Sequence, residues 1–114
     1  VRRGEIHVVD FGATRGSGGS SRPAVVVSND AANLTATRLG RGVVTVVPVT
    51  PNVGRVHPFQ VLLPADATGL ARDAKAQAEQ VRSVGVQRVG RRLGALAVAQ
   101  LEQLDQALRV HLSL

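Results

Sequence analysis

The chain contains no cysteine, tryptophan, tyrosine or methionine, and only two phenylalanines among its 114 residues. Without cysteine there is no disulfide, no thiolate nucleophile and no thiolate metal site. Three histidines, at 7, 57 and 111, share no ligand spacing, so neither a metal nor another cofactor is expected. With Phe11 and Phe59 as the only aromatics, stacking on bases is not the main way this chain would hold a nucleic acid. The core has to be built from Val, Leu and Ala. No apolar run approaches the ~18–20 residues that span a bilayer. Arg2 and Arg3 are not followed by an apolar signal region. A soluble, cytoplasmic protein with no membrane association is therefore expected. Lysine is nearly missing too: Lys75 stands alone, and arginine supplies the rest of a formal net charge of +6. An arginine-dominated basic chain suits planar, two-pronged recognition of phosphate or carboxylate. It attracts RNA, DNA or an acidic protein partner.

What is present is organised around two stretches. Gly16, Ser17, Gly18, Ser20 and Ser21 belong to a polar loop that runs through Arg22-Pro23 into the β-branched run Ala24-Val25-Val26-Val27. Val43-Val44-Thr45-Val46-Val47-Pro48-Val49-Thr50 repeats the design and ends in Pro51-Asn52. Each joins a strand-forming run to a polar end, where loops anchored by rigid elements place functional groups. Arg22 and Thr50 stand at those two junctions.

The length fits one domain, residues 1–114. Strands are expected at 5–11, at 24–28 with Pro23 at the first position, at 42–49 and at 59–63. Pro48 implies an edge position or a bulge, because proline cannot donate to a ladder. The segments 29–40 and 64–71 read as connections, the second with a turn at Thr68-Gly69. Ala74 to Val84 has helix-favouring residues, yet Ala74, Ala76 and Ala78 alternate with Lys75, Gln77 and Glu79, so it reads as strand. Residues 87–93 add a short basic strand. Ala97 to Leu112 reads as the one helix, striped by Leu101, Leu104, Leu108 and Leu112. Short strands with one terminal helix give a mainly β (α+β) fold, a small barrel or half-barrel capped by that helix. By pattern alone this is a basic nucleic-acid- or protein-binding module.

Five blocks add more. Arg2-Arg3-Gly4-Glu5-Ile6, Gly16-Ser17 with Arg22-Pro23-Ala24-Val25-Val26-Val27, Val44 to Thr50, Pro58-Phe59-Gln60-Val61 and Glu79-Gln80-Val81-Arg82-Ser83-Val84 occur in order. Together they resemble the successive blocks of the MazF/PemK/Kid toxin family over essentially the whole chain. The resemblance implies a small SH3-like barrel with a C-terminal α-helix, forming a homodimer. It implies a metal-independent, ribosome-independent, sequence-specific endoribonuclease that cuts single-stranded mRNA to 2′,3′-cyclic phosphate and 5′-hydroxyl ends. It also implies an acidic antitoxin of the MazE type. The family's essential arginine falls on Arg22 and its essential threonine on Thr50. The acidic residue of one branch falls on Glu79, and that branch's arginine two positions earlier is Gln77 here. Its loop histidine aligns with Ser17. Gly18 stands where many members carry glutamate.

Attack of a ribose 2′-hydroxyl on phosphorus needs a base, a stabiliser of the dianionic transition state and an acid for the leaving oxygen. Within the resemblance Arg22 suits the clamp and the acid, and Thr50 suits donation to a phosphate oxygen. Glu79 is the base, or else orients Arg22 by an ion pair; as a structural residue it pairs with Arg82 or Arg88. Gly16, Ser17, Gly18, Ser20, Ser21, Pro51, Asn52, Gln77, Gln80 and Arg82 are the expected RNA-contacting residues. His7 and His57 read as structural. Two other functions share these elements: a non-catalytic poison of DNA gyrase, as CcdB is, and a plain RNA- or protein-binding SH3-like module.

Overall fold

The β-branched runs become the middle of an antiparallel sheet. The computed structural model describes residues 1–12 and 21–114. Its strands are Glu5–Asp10 (β1), Ser21–Val26 (β2), Val43–Thr50 (β3), Gln60–Leu63 (β4), Ala74–Gln77 (β5), Arg82–Gly85 (β6) and Val89–Ala95 (β7). Its helices are Asp30–Leu39 (α1), Ala65–Thr68 (α2) and Val98–Leu112 (α3), with 3-10 turns at Ala78–Gln80 and Val86–Arg88. Strand order is β4-β5-β3-β2-β1-β7, and β6 pairs with β3 as well.

β3 serves two leaves of this sheet. Its first half pairs with β6, from Val43↔Gly85 to Val46↔Arg82, and its end pairs with β5 at Val49↔Ala76 and Thr50↔Lys75. Pro48 falls between the two partnerships while facing Ala24 of β2. The expected edge position is thus not what the chain adopts. β3 is interior, and its proline sits where the strand changes partner, so the missing N–H interrupts neither ladder. Pro23 also differs from expectation, lying third in β2 opposite Val8; the ladder to β3 begins only at Ala24.

Two cores flank the sheet. Ile6, Val25, Val47, Val49, Val61, Leu63, Ala74 and Ala76 pack with Leu104 and Ala107 of α3. Val9, Ala24, Val26, Val44, Val46 and Val84 pack with Ala36 of α1. Neighbouring residues of β2 and β3 go to opposite cores, which is why their sequences read as unbroken apolar runs. The extended reading of 74–84 holds as β5, one 3-10 turn and β6.

Glycine brings the two ends of the sheet path together. A Cβ on Gly94 of β7 would lie 2.0 Å from the Thr68 carbonyl oxygen of α2, the turn that follows β4. Only a bare backbone allows that approach, and it gives the sheet its barrel-like closure. α3 covers the first core with Leu104 and Ala107, flanked by the partly buried Leu108. Leu112, expected in the same stripe, is exposed. Arg3 ties α3 to β2's end: it pairs with Asp105, and its Nε donates to the Val27 carbonyl at 3.0 Å.

The segment read as a connection at 29–40 is a helix. Asn29 Oδ1 accepts from Ala32 N at 2.8 Å, Asp30 occupies the first turn, and Gly40 closes the end at φ 65°. The segment at 64–71 likewise contains the single turn α2, closed by Gly69. Among the described residues no helix is long and apolar enough to cross a membrane.

Candidate active site

Strand register assembles a polar row that the sequence does not show. β2 and β3 pair Ala24 with Pro48. Arg22 lies two residues before that ladder, and the same register extended brings it to the Thr50 end of β3. Thr50 pairs with Lys75 of β5, and Lys75 with Leu62 of β4. Arg22, Thr50, Lys75 and Leu62 therefore form one row across the sheet, on the face opposite Val49, Leu63, Ala74 and Ala76. The neighbouring row carries Gln77 and Gln60, themselves register partners.

Arg22 is half-buried, and its Nη2 donates to Gln77 Oε1 at 3.0 Å, a diagonal contact between the rows. The amide fixes the guanidinium without neutralising it, which leaves its charge for an anion. Thr50 Oγ1 accepts from Asn52 N at 3.3 Å, so the hydroxyl proton remains available for donation. Pro51 and Asn52 are exposed beside it.

Glu79 lies in the 3-10 turn after β5, which aims it at β4. Its Oε2 accepts from Gln60 Nε2 at 2.6 Å, while its Oε1 is buried and accepts no hydrogen bond. The ion pairs considered for it, with Arg22, Arg82 or Arg88, do not form among the described residues. Gln77 holds Arg22 instead, the Arg82 guanidinium lies 5.1 Å over the Phe11 ring, and Arg88 approaches Asp10 at 3.9 Å. Gln80 is exposed in the same turn as Glu79, and Ser21 is exposed at the start of β2. Gly16, Ser17, Gly18 and Ser20 lie outside the described residues.

Two residues outside the expected set hold the β3–β4 loop against this face. Gln60 is buried, and its Oε1 accepts from His57 N at 3.1 Å while its amide meets Glu79. Lys75 is buried and its Nζ donates to the Arg55 carbonyl at 2.5 Å. The His57 and Phe59 rings stack at 5.1 Å. The available signal for Lys75 was its place as the only lysine, two residues from Gln77 in an alternating strand. His7 is structural as read: its ring nitrogens contact the Gly90 carbonyl at 2.9 Å and Glu5 Oε1 at 3.1 Å, away from the row. Among the described residues no group of three or more His, Asp or Glu could hold a metal ion.

Such a barrel, with an arginine and a threonine at adjoining strand ends, has the architecture of small bacterial toxins that are ribonucleases. The fold superposes on an endoribonuclease in complex with its cognate antitoxin from a Mycobacterial species, with a TM-score of 0.78 at 23% identity, covering 100% of this chain and 96% of that one. That likeness bears out the expected SH3-like barrel with its C-terminal helix. The family model described as PemK-like, MazF-like toxin of type II toxin-antitoxin system matches residues 2–112, and the chain belongs to that family. It is 61% identical to endoribonuclease MazF9 of Mycobacterium tuberculosis, over 100% of this chain and 98% of the relative. A MazE–MazF structure from Deinococcus radiodurans matches with a TM-score of 0.73 at 26% identity, over 100% of this chain and 97% of the other.

Proposed function

We propose that this chain is an endoribonuclease toxin that cuts single-stranded mRNA at a short sequence, without a ribosome and without a metal, leaving 2′,3′-cyclic phosphate and 5′-hydroxyl ends. The observation that carries this reading is the guanidinium of Arg22, held by Gln77 and uncompensated by any carboxylate ion pair among the described residues, in one row with Thr50. Arginine there clamps two oxygens of the scissile phosphate, and Thr50 donates its free proton to one of them.

In the step that follows, the ribose 2′-oxygen attacks phosphorus and the P–O5′ bond breaks. The 2′-hydroxyl proton goes to Glu79, whose carboxylate is held by the Gln60 amide. Arg22 protonates the departing 5′-oxygen, and solvent restores both groups. The exposed Ser21, Pro51, Asn52, Gln80 and Arg82, with Gln77, line the path of the strand, and Gly16, Ser17, Gly18 and Ser20 are further RNA-contacting residues by the family resemblance. An acidic antitoxin of the MazE type is the protein partner. Its support is the net charge of +6 and the antitoxin present in the Deinococcus radiodurans complex. The working form is a single-domain homodimer in the cytoplasm.

Incubating the purified protein with a long single-stranded RNA in EDTA, and mapping 5′ ends by primer extension, tests the reading. Cuts should share a short sequence, and Arg22→Ala should slow them on the order of 10²–10³-fold with its fold intact. Glu79→Gln should alter the pH–rate profile; an unchanged profile removes Glu79 from the base role. Intact RNA from folded, antitoxin-free protein sinks the ribonuclease reading.

A further inference from the structure

Lys75, like Arg22, is a cation of this face that has no ion-pair partner among the described residues, and of the two it is the more deeply buried. It is 7% exposed, and among the described residues its ammonium has a single hydrogen bond, to the neutral Arg55 carbonyl, and no ion pair. An ammonium carries three donors and pays heavily in lost hydration when buried without an anion. A methionine of similar length would fill the same slot between Thr50 and Leu62 at less cost. Stability therefore does not account for a lysine at this position, whereas an anion that arrives from outside does.

We infer that Lys75 is a second phosphate-binding cation of the active site, acting on the RNA backbone together with Arg22. The geometry comes from the register. Thr50 pairs directly with Lys75, and the β2–β3 register extended brings Arg22 to its other side. Strands lie ~4.8 Å apart, so the two cations flank the threonine with their backbones about 10 Å from each other. In the free protein Arg22 reaches Gln77 and Lys75 reaches the Arg55 carbonyl, and a strand of RNA crossing Thr50 meets a cation on either side. Arg22 takes the scissile phosphate. Lys75 exchanges the Arg55 carbonyl for an oxygen of the neighbouring phosphate, which frees that end of the β3–β4 loop to close on the strand. Leu62, the next residue in the row, gives an apolar end to the track. This assignment rests on the ribonuclease reading and adds to it a residue that the resemblance did not supply.

The test measures binding of a 2′-O-methyl oligonucleotide carrying the mapped cut sequence, which lacks the attacking hydroxyl, across a salt series. The full-length protein is compared with Lys75→Met and Lys75→Arg, and thermal unfolding is recorded for each. Lys75→Met should weaken binding roughly 10- to 100-fold. It should also make the plot of log affinity against log salt shallower by about 0.7, the release expected for one phosphate contact on a single strand. Its melting temperature should be equal to or above that of the parent, because a buried charge has been removed. Lys75→Arg should restore the slope. If the parent cleaves RNA and Lys75→Met keeps the parental slope, the assignment is overturned. A lower melting temperature in that case shows that Lys75 is only a strap for the loop. A parent that leaves RNA intact overturns the ribonuclease reading itself, and this assignment falls with it.

Discussion

The two faces of β5 differ in every residue, although they share one backbone. Ala74 and Ala76 turn inward and join Val49, Val61 and Leu63 beneath Leu104 of α3. Lys75 and Gln77 turn the other way and join Arg22, Thr50 and Gln60. Small inward residues let the helix sit close and lock the strands, so the outward residues inherit fixed positions. The polar face needs that rigidity, because it buries the Gln60 amide and the Lys75 ammonium and half-buries Gln77 and Glu79 with few partners. On the proposed function, the inner face sets stability and the outer face sets chemistry, with the strand linking them. That division can be broken from either side.

The largest effect is expected from the inner face. Leu104 is fully buried at the centre of α3's contact with the sheet. Leu104→Ala should cost about 2–5 kcal/mol of unfolding free energy, read from urea denaturation. Cleavage per folded molecule should stay near the parental rate below the transition. A variant of parental stability that had lost its cleavage would contradict the division. A smaller effect should come from Gln77→Ala on the outer face. Losing the 3.0 Å bond leaves Arg22 free to sample other rotamers. The rate should fall about 3- to 10-fold, as for one neutral hydrogen bond, chiefly in kcat, while the urea midpoint hardly moves. Equal rates in Gln77→Ala and parent would show that Gln77 does not position the arginine.

Sequence patterning reveals the inner face better than the outer one. The valine runs of β2 and β3, the alternation in β5 and the leucine stripe of α3 are local signals, and the strands and helix appear where they point. α1 escapes because Asp30–Leu39 buries only Asn33 and Ala36, too little for an apolar stripe. Its legible marks were the caps, Asn29 before it and Gly40 after it, rather than its periodicity. Pro48 misleads for a related reason. A strand that changes partner midway looks, residue by residue, like an edge. The site is less legible still. Arg22 and Thr50 stand out as strand-end residues, but their place in one row with Lys75 depends on pairing between segments far apart in sequence. Such register is a property of the sheet, and without it Lys75 reads as one more polar residue in an alternating strand.

The smallest predicted effect separates a third polar cluster from the site. Between β1 and β7, burial raises the Glu5 carboxyl's pKa. Hydrogen bonds from the His7 ring and the Arg2 backbone N–H, with the charges of His7 and Arg92, outweigh that and hold it below the ordinary 4.5. The unfolded chain therefore takes up this proton more readily than the folded one. The stabilisation is complete above the unfolded value and is lost as pH falls through the lower, folded value. Asp30 shifts the same way because it accepts from the Arg3 N–H at 2.7 Å, but it is exposed and its share is screened. Urea midpoints followed from about pH 6 down to about pH 3 should decline, and Glu5→Gln should flatten part of that decline. Glu5 lies off the row of Arg22 and Thr50, so the same substitution should leave the pH–rate profile of cleavage in place. If Glu5→Gln moved the rate profile and left the stability profile unchanged, acid sensitivity would belong to the catalytic face, and the separation of stability from chemistry would fail at β1.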